Sequence, residues 1–483
     1  MNKIATYVEF DSNGEHYVYD RYSNEFLRVD NGLMVDGHIA NEYIEQLRKG
    51  SEVFVPYSFP ELSISKNKSL REKITCKLNR QIVQVCFITT ENCNLRCKYC
   101  VYSGAYDNRR HHNASHKMTW ETAQKVLNDL FSSSSINTIS FYGGESLIEY
   151  RLIKKIVEYV YDVDNSIHFA MNTNLTLLND EILSFLIKYD FAITISLDGP
   201  EDIHDLYRVT KNNKPTHTIV EQNLVHIRKQ NENYFLHKVF YNVLLVPHPY
   251  SLDVVDKYFA GQLFVGVPLD SFRILTLNPE KNSFSETYNY DSFLKKFQEY
   301  SQKKVATKHI QGAKDFSEMK ISYRFQVTRI QKIIFRDMRN FDAYSYYWPN
   351  GICILGLRSI IVTSNGTYYP CETLYDQQEM SIGNADVGVD NDVVVKYTKE
   401  YIEYGNKLCK KCWAFRFCSH CFSYAYVHDK YSLEKKLVEC DMTRKGLLSD
   451  FKFFMEIYSQ NPKAFDYLLE EKPYEQFSYM LSD

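Results

Sequence analysis

The 483-residue sequence lacks any long hydrophobic run. No stretch of about 18 consecutive apolar residues occurs, so we predict no membrane-spanning helix and no membrane partner. The first residues, MNKIATYVEF, lack the basic and apolar regions of a signal peptide. An excess of one charge is also missing, because the net charge is only −3, and no nucleic acid partner is predicted. Together these absences predict a cytoplasmic protein.

Cysteine, by contrast, is abundant, with 12 residues in the chain. Thiols stay reduced in the cytoplasm, so this number predicts metal ligands rather than disulfides. The remaining composition, 44% hydrophobic and 24% charged residues, is ordinary for a globular protein. The length allows two or three domains with substantial cores.

Residues 1–80 are predicted to form a small N-terminal α+β domain. Three runs with strand-like alternation, TYVEF, EHYVYDRY and NEFLRVD, are separated by turns, the first of them at Asn13-Gly14. A helical stretch, HIANEYIEQLRKG, follows and ends at Gly50. The polar, lysine-rich segment from Pro56 to Leu78 is typical of a linker.

Residues 81–300 alternate apolar strand-like runs with amphipathic helical ones, which predicts an α/β fold with parallel strands. The predicted strands are 82–90, 136–144, 167–174, 191–199, 238–246 and 271–277. Thr119 and Asn179 are predicted helix N-caps. Six strand–helix units fit a partial (β/α)6 barrel of the TIM type, in which the chemistry lies at the carboxyl ends of the strands.

The motif that carries most chemistry at these ends is ENCNLRCKYC, which places Cys93, Cys97 and Cys100 directly after an apolar run. Three thiolates this close cannot all face a packed core, and an odd number cannot pair evenly as disulfides. They fit three corners of a [4Fe–4S] cube, whose fourth iron stays open for a ligand. A structural zinc site is the alternative, although zinc usually takes four protein ligands.

With Tyr99 inside it, this motif resembles the C-x3-C-x-Φ-C signature of the radical SAM superfamily, in which Φ is aromatic. The resemblance implies that S-adenosylmethionine (SAM) binds the open iron and is cleaved to a 5′-deoxyadenosyl radical. The run FYGGES is similar to the family's GGE motif. It implies that Gly143, Gly144 and Glu145 contact the amino group of the methionine moiety.

Further barrel residues follow from the same resemblance. Ser196 and Asp198, in ISLDGP, are similar to the ribose-contacting segment, and Arg208, in HDLYRV, to an arginine that pairs with the methionine carboxylate. The resemblance also implies that Asn174 approaches the ribose or the substrate. From the residues alone, a salt bridge at Arg208 and a turn-capping role for Asn174 remain open.

Residues 301–345 are predicted to form a helical bridge and residues 346–483 a cysteine-rich domain with C-terminal helices. The cysteines of this domain are Cys353, Cys371, Cys409, Cys412, Cys418, Cys421 and Cys440. Their spacing resembles the SPASM extension of radical SAM peptide and protein maturases, which implies two auxiliary [4Fe–4S] clusters. Taken alone, the run C-x2-C-x5-C-x2-C also fits a pair of zinc sites.

The SPASM resemblance divides these cysteines into two ligand sets. Auxiliary cluster I takes Cys353, Cys371 and Cys421, and auxiliary cluster II takes Cys409, Cys412, Cys418 and Cys440. The family's run is usually C-x2-C-x5-C-x3-C, so this chain is one residue short before Cys421. With three cysteines, cluster I has an open iron or a non-cysteine ligand.

Glu372 directly follows Cys371 in YYPCETL. An acidic residue at this place is the proposed substrate base of related sulfatase maturases, so the resemblance implies that Glu372 accepts a substrate proton. Cys86, inside the first barrel strand, is predicted to be a small buried hydrophobe. The stretch with His111, His112 and His116 is predicted to be a solvated loop.

The resemblance favours a peptide or protein as the substrate. The N-terminal region suits a leader-recognition domain of winged-helix type, which binds a leader peptide as an added strand. We therefore hypothesise an enzyme that modifies a ribosomally synthesised precursor peptide, with flavodoxin or ferredoxin as the reductant. A thioether from a cysteine sulfur to a carbon is the first choice of product, because an open auxiliary cluster would hold the thiolate. The alternatives are carbon–carbon crosslinking of side chains, formylglycine formation in a sulfatase, and a non-enzymatic zinc-binding protein.

Overall fold

The computed structural model of the chain describes residues 6–50, 67–79, 81–106, 110–277, 282–336, 354–375, 377–409 and 411–470. Its strands are β1 (Tyr7–Ser12), β2 (Glu15–Asp20), β3 (Glu25–Arg28), β4 (Met34–Val35), β5 (His38–Ile39), β6 (Gln81–Glu91), β7 (Asn113–Lys117), β8 (Ser135–Gly143), β9 (His168–Thr173), β10 (Ala192–Ser196), β11 (Val239–Leu244), β12 (Phe272–Leu275), β13 (Ser359–Val362), β14 (Thr367–Tyr369), β15 (Gly383–Asn384), β16 (Gly388–Val389), β17 (Tyr426–Val427) and β18 (Lys430–Tyr431).

The helices are α1 (Asn41–Gly50), α2 (Asn67–Leu78), α3 (Trp120–Ser133), α4 (Tyr150–Val163), α5 (Asp180–Lys188), α6 (Glu201–Tyr207), α7 (His217–Gln230), α8 (Glu232–Lys238), α9 (Val254–Phe259), α10 (Ser283–Tyr288), α11 (Tyr290–Ile310), α12 (Lys320–Ile334), α13 (Asn391–Cys409), α14 (Leu433–Tyr458) and α15 (Asp466–Glu470). In the described part of the chain, no helix is long and apolar enough to cross a membrane.

The central sheet confirms the predicted α/β partial barrel. Its six parallel strands stand in the order β6-β8-β9-β10-β11-β12, and helices α3 to α9 lie between them in sequence. The alternation of burial along β10 explains why the sheet has helices on one face. Ile193 and Ile195 are fully buried, whereas Ala192, Thr194 and Ser196 on the other face are only half-buried. One face of each strand is covered by helices, and the other face lines the barrel interior.

The helices begin and end largely as the sequence predicts. The side chains of Thr119 and Asn179 accept hydrogen bonds from the backbone N–H groups of Thr122 and Ile182, which confirms both N-caps. The predicted linker is wrong over its second half, because α2 occupies Asn67–Leu78. Ile74 and Leu78, four residues apart on one face of α2, are buried in the central core and outweigh its lysine-rich surface.

The central sheet continues beyond the barrel into the cysteine-rich region. Strand β13 pairs in parallel with β6, so that Ile361 lies opposite Cys86. Strands β14, β15 and β16 extend the sheet antiparallel to β13 and to one another. The helices of the bridge region, α11 and α12, pack against each other and against α14. The sheet thereby joins the barrel to the segment that contains Cys371.

The N-terminal region is a three-stranded antiparallel sheet, β1-β2-β3, followed by the β4–β5 hairpin and α1. The predicted turn at Asn13-Gly14 is present, with positive φ at both residues, as tight hairpins require. Aromatic side chains of this sheet, such as Tyr19, pack against Phe417 and Phe451. The N-terminal sheet therefore lies against the C-terminal region, while its role in leader recognition stays a prediction.

Candidate active site

Cys93, Cys97 and Cys100 lie in the loop that follows β6, at the carboxyl end of the first barrel strand. The backbone of this loop is fixed on the segment after α6, because the N–H groups of Arg96 and Lys98 donate to the carbonyls of Val209 and Tyr207 at 2.7 and 2.9 Å. All three sulfurs are thus presented by a loop whose backbone is hydrogen-bonded on both sides of Cys97.

Each of the three cysteine sulfurs faces a nitrogen group. The backbone N–H of Leu95 donates to Cys93 Sγ at 3.4 Å, and Arg208 Nη1 lies 3.9 Å from Cys97 Sγ. Cys100 Sγ lies 3.8 Å from Nε2 of His112. His111 and His116 are exposed as predicted, but His116 lies in β7 rather than in a loop, and His112 is half-buried beside Cys100. The N–H of Leu95 and the guanidinium of Arg208 suit sulfurs that carry negative charge.

Burial disfavours the thiolate form of all three cysteines. It raises the pKa of Cys93 to about 11 and that of Cys97 to about 12, and it also raises the pKa of Cys100. Thiolates at such positions need a positive partner such as a metal. The buried sulfurs and the nitrogen groups that face them therefore fit metal-bound thiolates.

The Gly143-Gly144 pair is required by a close backbone contact. A Cβ on Gly143 would lie 2.2 Å from the carbonyl oxygen of Thr90, and a Cβ on Gly144 would lie 2.0 Å from that of Asn92. The N–H of Gly144 donates to Thr90 O at 2.9 Å, and the N–H of Glu145 donates to Asn92 O at 2.9 Å. The pair thus holds the last residues before Cys93 in place.

Glu145 is buried and joins the ends of two barrel strands. Its carboxylate accepts hydrogen bonds from Thr173 Oγ1 at 2.6 Å, from the N–H of Asn174 at 2.7 Å and from the N–H of Leu147 at 3.1 Å. Burial raises the pKa of Glu145, and these hydrogen bonds work against the rise. The carboxylate is therefore positioned by three donors at the carboxyl ends of β8 and β9.

Asp198 and Arg208 form a buried ion pair. Arg208 donates from Nε to Asp198 Oδ2 at 2.9 Å and from Nη2 to Oδ1 at 3.2 Å. The hydroxyl of Tyr99 donates to the same carboxylate. Arg208 therefore forms a salt bridge, which is the alternative that the sequence left open. The pair is buried rather than on the surface, and it links the cysteine loop to the loop after β10. The remaining guanidinium nitrogen of Arg208, Nη1, lies close to the sulfur of Cys97.

Asn174 combines a turn-capping role with a contact to the cysteine loop. Its Oδ1 accepts from the N–H of Thr176 at 3.0 Å, while its Nδ2 donates to Asn94 Oδ1 at 2.9 Å and lies 4.0 Å from Cys93 Sγ. The turn-capping alternative is therefore present, while the approach to the ribose or substrate stays a prediction. The Asn174 side chain bonds to the cysteine loop and lies close to Cys93 while it caps its own turn.

The structure adds two residues that the sequence reasoning missed. Asn242 pairs in register with Ser196, and its Oδ1 is buried without a hydrogen-bond partner among the described residues. His248 lies in the following loop, four residues beyond the end of β11, where its half-buried ring packs beside Tyr250 and Phe293. A polar residue inside the apolar run KVFYNVLLV was the signal for Asn242. The orphaned acceptor of Asn242, opposite Ser196, fits a ligand that donates a hydrogen bond, such as a sugar hydroxyl.

His204 supports Asp198 and gives a pH-dependent prediction. Its Nδ1 accepts the N–H of Asp198 at 3.5 Å, and its ring is buried. Burial, then Arg208 and His217, holds the pKa of His204 well below its usual value. The unfolded chain therefore binds a proton that the folded chain excludes, so the free energy of unfolding should fall as the pH drops below about 6.5.

We expect His204 alone to contribute up to about 1.4 kcal/mol per pH unit to this loss, so that the pH dependence is smaller in His204→Gln than in the parent chain. Urea unfolding from about pH 7.5 to about pH 5.5 measures it. A His168→Gln variant, at an exposed position of β9, is expected to keep the parental slope. Equal slopes for the parent and His204→Gln would contradict the assignment.

The Cys371–Glu372 segment lies between two tyrosines that pack beside Cys100. Tyr369 and Tyr375, on either side of it, pack in one cluster with Cys86, Tyr102 and the half-buried Cys100. Glu372 is exposed, and its charge reaches the inner face of the barrel. Burial raises the pKa of Cys86 to about 12, and the Glu372 carboxylate adds to this rise. Cys86 is buried as predicted.

Four cysteines of the C-terminal region line one cavity. They are Cys409, Cys412, Cys418 and Cys440, and Tyr401, His420, Lys436 and Arg444 complete much of its wall. Burial raises the pKa of Cys409 to about 12 and that of Cys440 to about 11. Cys421 lies outside this lining and contacts Ser423 Oγ at 3.1 Å. Cys353 lies outside the described residues, so the first auxiliary set of Cys353, Cys371 and Cys421 stays a prediction.

The spacing of these side chains bears on the choice of metal. Within the described ranges, no three His, Cys, Asp or Glu side chains are grouped closely enough to hold a single metal ion. The cysteines that the structure describes are all free thiols. Ligand sets made of thiolates alone suit iron–sulfur chemistry.

Comparison with known proteins agrees with this geometry. The sequence model described as "Radical SAM superfamily" matches residues 87–250, which include the cysteine loop and all barrel motifs named above. An uncharacterised protein of Methanocaldococcus jannaschii is 31% identical over 223 residues, covering 43% of this chain and 72% of that protein. This chain belongs to the radical SAM superfamily.

Other relatives of this radical SAM protein have described activities. A cysteine-type anaerobic sulfatase-maturating enzyme of Clostridium novyi is 26% identical over 349 residues, 68% of this chain and 84% of that enzyme. The radical SAM cyclopropyl synthase TigE of Paramaledivibacter caminithermalis is 27% identical over 295 residues, and this chain spans only 56% of its length. The solved structure of native anSMEcpe with bound AdoMet and Cp18Cys peptide superposes with a TM-score of 0.56 at 20% identity. It covers 81% of this chain and 100% of that chain.

Membership of this superfamily implies a [4Fe–4S] cluster and SAM, and the residues fit both. The sulfurs of Cys93, Cys97 and Cys100 each face a nitrogen group, as metal-bound thiolates would require. The unpaired Asn242 Oδ1 beside Ser196 offers an acceptor to a ligand hydroxyl at the carboxyl end of β11. The cofactors that the sequence resemblance implied are thereby matched by chemistry at the predicted end of the barrel.

Proposed function

We propose that this radical SAM protein is an enzyme that modifies a peptide substrate, and that it joins a cysteine sulfur of a ribosomally synthesised precursor to a carbon as a thioether. The observation that carries the proposal is the position of the Cys371–Glu372 segment. Tyr369 and Tyr375, on either side of it, pack in one cluster with Cys86 of β6 and with Cys100. A substrate in the barrel interior would then contact both cysteine loops at once.

In this proposal Cys93, Cys97 and Cys100 hold the first cluster, and Tyr99, Gly143, Gly144, Glu145, Asn174, Ser196, Asp198 and Arg208 form the SAM site around it. Bound there, the cluster and SAM supply a carbon radical that removes a hydrogen atom from the substrate. The ion pair of Asp198 with Arg208 positions the cysteine loop, and the two glycines keep its backbone close to β8. The Cys409, Cys412, Cys418 and Cys440 set holds auxiliary cluster II.

Cys371 and Cys421, with Cys353 outside the described residues, form the second proposed auxiliary set. Glu372 takes the proton of the substrate thiol, so that a thiolate meets the substrate carbon radical. Formation of the sulfur–carbon bond then releases one electron, which passes to the auxiliary clusters and ends on auxiliary cluster II. The substrate therefore loses one hydrogen atom, one proton and one electron, which equals two hydrogens for each thioether. Flavodoxin or ferredoxin is the proposed source of reducing electrons.

Formylglycine formation in a sulfatase is the second candidate. It is favoured by the similarity to the cysteine-type sulfatase-maturating enzyme, of which 84% is covered. The thioether proposal is preferred because the N-terminal sheet and α1 suit the recognition of a leader by strand addition, and a leader is a feature of precursor peptides.

Anaerobic purification gives the first test. We expect brown protein that contains iron and sulfide, and colourless protein loaded with zinc would refute the enzyme. The reduced enzyme is then incubated with SAM and either a precursor peptide encoded beside the gene or a sulfatase peptide that contains cysteine. A thioether appears as a loss of two hydrogens and as a cysteine that resists alkylation. Modification of the sulfatase peptide alone would replace the thioether proposal with the second candidate.

A further inference from the structure

The cavity with four cysteines has a buried positive charge in its wall. Lys436, on α14, is only 2% exposed and lines this cavity together with Cys440 one turn further along the helix. Lysine is rarely buried without a partner of opposite charge. The buried charge of Lys436 therefore requires a physical explanation, whereas an exposed lysine on the same helix would not.

The partners of Lys436 are neutral groups. Its Nζ donates to the hydroxyl of Tyr401 at 2.7 Å and lies 3.4 Å from Nδ1 of His420. An ammonium group has donors only, so His420 Nδ1 must be the acceptor and carry no proton. Thr443 Oγ1, on the other side of the ring, contacts His420 Nε2. This hydroxyl fixes the ring in the tautomer that leaves Nδ1 free to accept.

No carboxylate balances the charge. Within the described part of the chain, the cavity lining contains no aspartate or glutamate, and Arg444 adds a second cationic side chain. A buried charge that is hydrogen-bonded only to neutral groups costs several kcal/mol. The occupant of the cavity must therefore be an anion, and the four cysteines identify its type. A [4Fe–4S] cube with four thiolate ligands is anionic in both of its redox states.

We propose that Lys436 is the countercharge of auxiliary cluster II and raises its reduction potential, so that this cluster accepts the electron released by the substrate. The inference rests on the proposed function, which places a cluster between these four cysteines. A nearby positive charge favours the redox state with the additional electron. Tyr401 and His420 position the ammonium group, and Arg21 donates to the carbonyls of Cys409 and Cys412 at 2.9 and 3.0 Å to hold the ligand loop.

The test isolates this cluster from the others. A parent chain with Cys93, Cys97, Cys100 and Cys371 changed to alanine leaves the four-cysteine cavity as the iron site, and iron and sulfide are measured first. The reduction potential is then titrated by electron paramagnetic resonance. In Lys436→Met we expect about a tenfold lower ratio of reduced to oxidised cluster at a fixed potential, which is a shift of about 59 mV to lower values.

Two further variants separate charge from hydrogen bonding. Lys436→Gln keeps a donor toward Tyr401 but loses the charge, so it should shift the potential in the same direction as Lys436→Met. Lys445→Gln removes a positive charge from an exposed site of the same helix, where the side chain is 76% exposed, and should leave the potential unchanged. If both Lys436 variants had full iron content and an unchanged reduction potential, the inference about Lys436 would be wrong, while the assignment of the cluster would still hold. A parent without iron in this cavity would overturn the cluster assignment as well.

Discussion

Replacing Cys93, Cys97 and Cys100 together with alanine is expected to abolish the formation of 5′-deoxyadenosine from SAM. The three sulfurs are the sole cysteines in the loop after β6, and each faces a nitrogen group that suits a ligated thiolate. Without them the first cluster has no ligands, so the rate should fall by several orders of magnitude. Chromatography of the reduced, anaerobic enzyme with SAM measures the product directly.

The matched control for this variant is Cys76→Ala. Cys76 is exposed on α2, away from the barrel interior, and its loss should leave SAM cleavage unchanged. The triple variant should also keep the iron bound by the C-terminal cysteines, so that iron per chain falls but does not vanish. Undiminished 5′-deoxyadenosine from the triple variant would refute the proposed radical chemistry.

Gly144→Ala is expected to destabilise the fold by about 3 kcal/mol or more and to lower the iron content of the first site. The added Cβ would lie 2.0 Å from Asn92 O and 3.0 Å from the backbone nitrogen of Cys93. Both neighbours are backbone atoms, so the collision is relieved only by moving the cysteine loop itself. Urea unfolding and iron analysis of the same preparation measure the two effects.

Gly446→Ala is the control for this substitution. Gly446 lies within α14, and no heavy atom lies within 4 Å of an added Cβ. Alanine in an exposed helix should stabilise the protein by up to about 1 kcal/mol, because glycine loses more backbone entropy on folding. If Gly144→Ala unfolded at the same urea concentration as the parent, the close contact with Asn92 would not exist in solution.

The barrel was predictable because its strands have local signals. Apolar runs alternate with amphipathic helices, and caps such as Thr119 mark where helices begin, so the six strands followed from the sequence. The cysteine spacing likewise placed three sulfurs at the end of the first strand. These features depend on residues that are close together in the chain.

Features that depend on residues far apart in the chain could not be predicted from the sequence. Asp198 and Arg208 were each assigned to a different part of SAM, and only the folded chain shows that they pair with each other. The glycines of the GGE motif were ascribed to contact with a ligand, whereas their closest neighbours are the carbonyls before Cys93. Lys436 has the sequence signature of a surface residue, and its burial depends on the packing of α14 against the cysteine loop.

The parallel pairing of β13 with β6 has a consequence for protein engineering. A chimera that exchanged the cysteine-rich region for that of a relative would remove β13 and leave one side of β6 without a strand partner. An uncovered strand edge is a template for pairing with other chains and hence for aggregation. Exchanges of substrate specificity in this enzyme would therefore need to transplant β13 and β14 together with the Cys371 segment, or to retain both strands and graft only the loops between them.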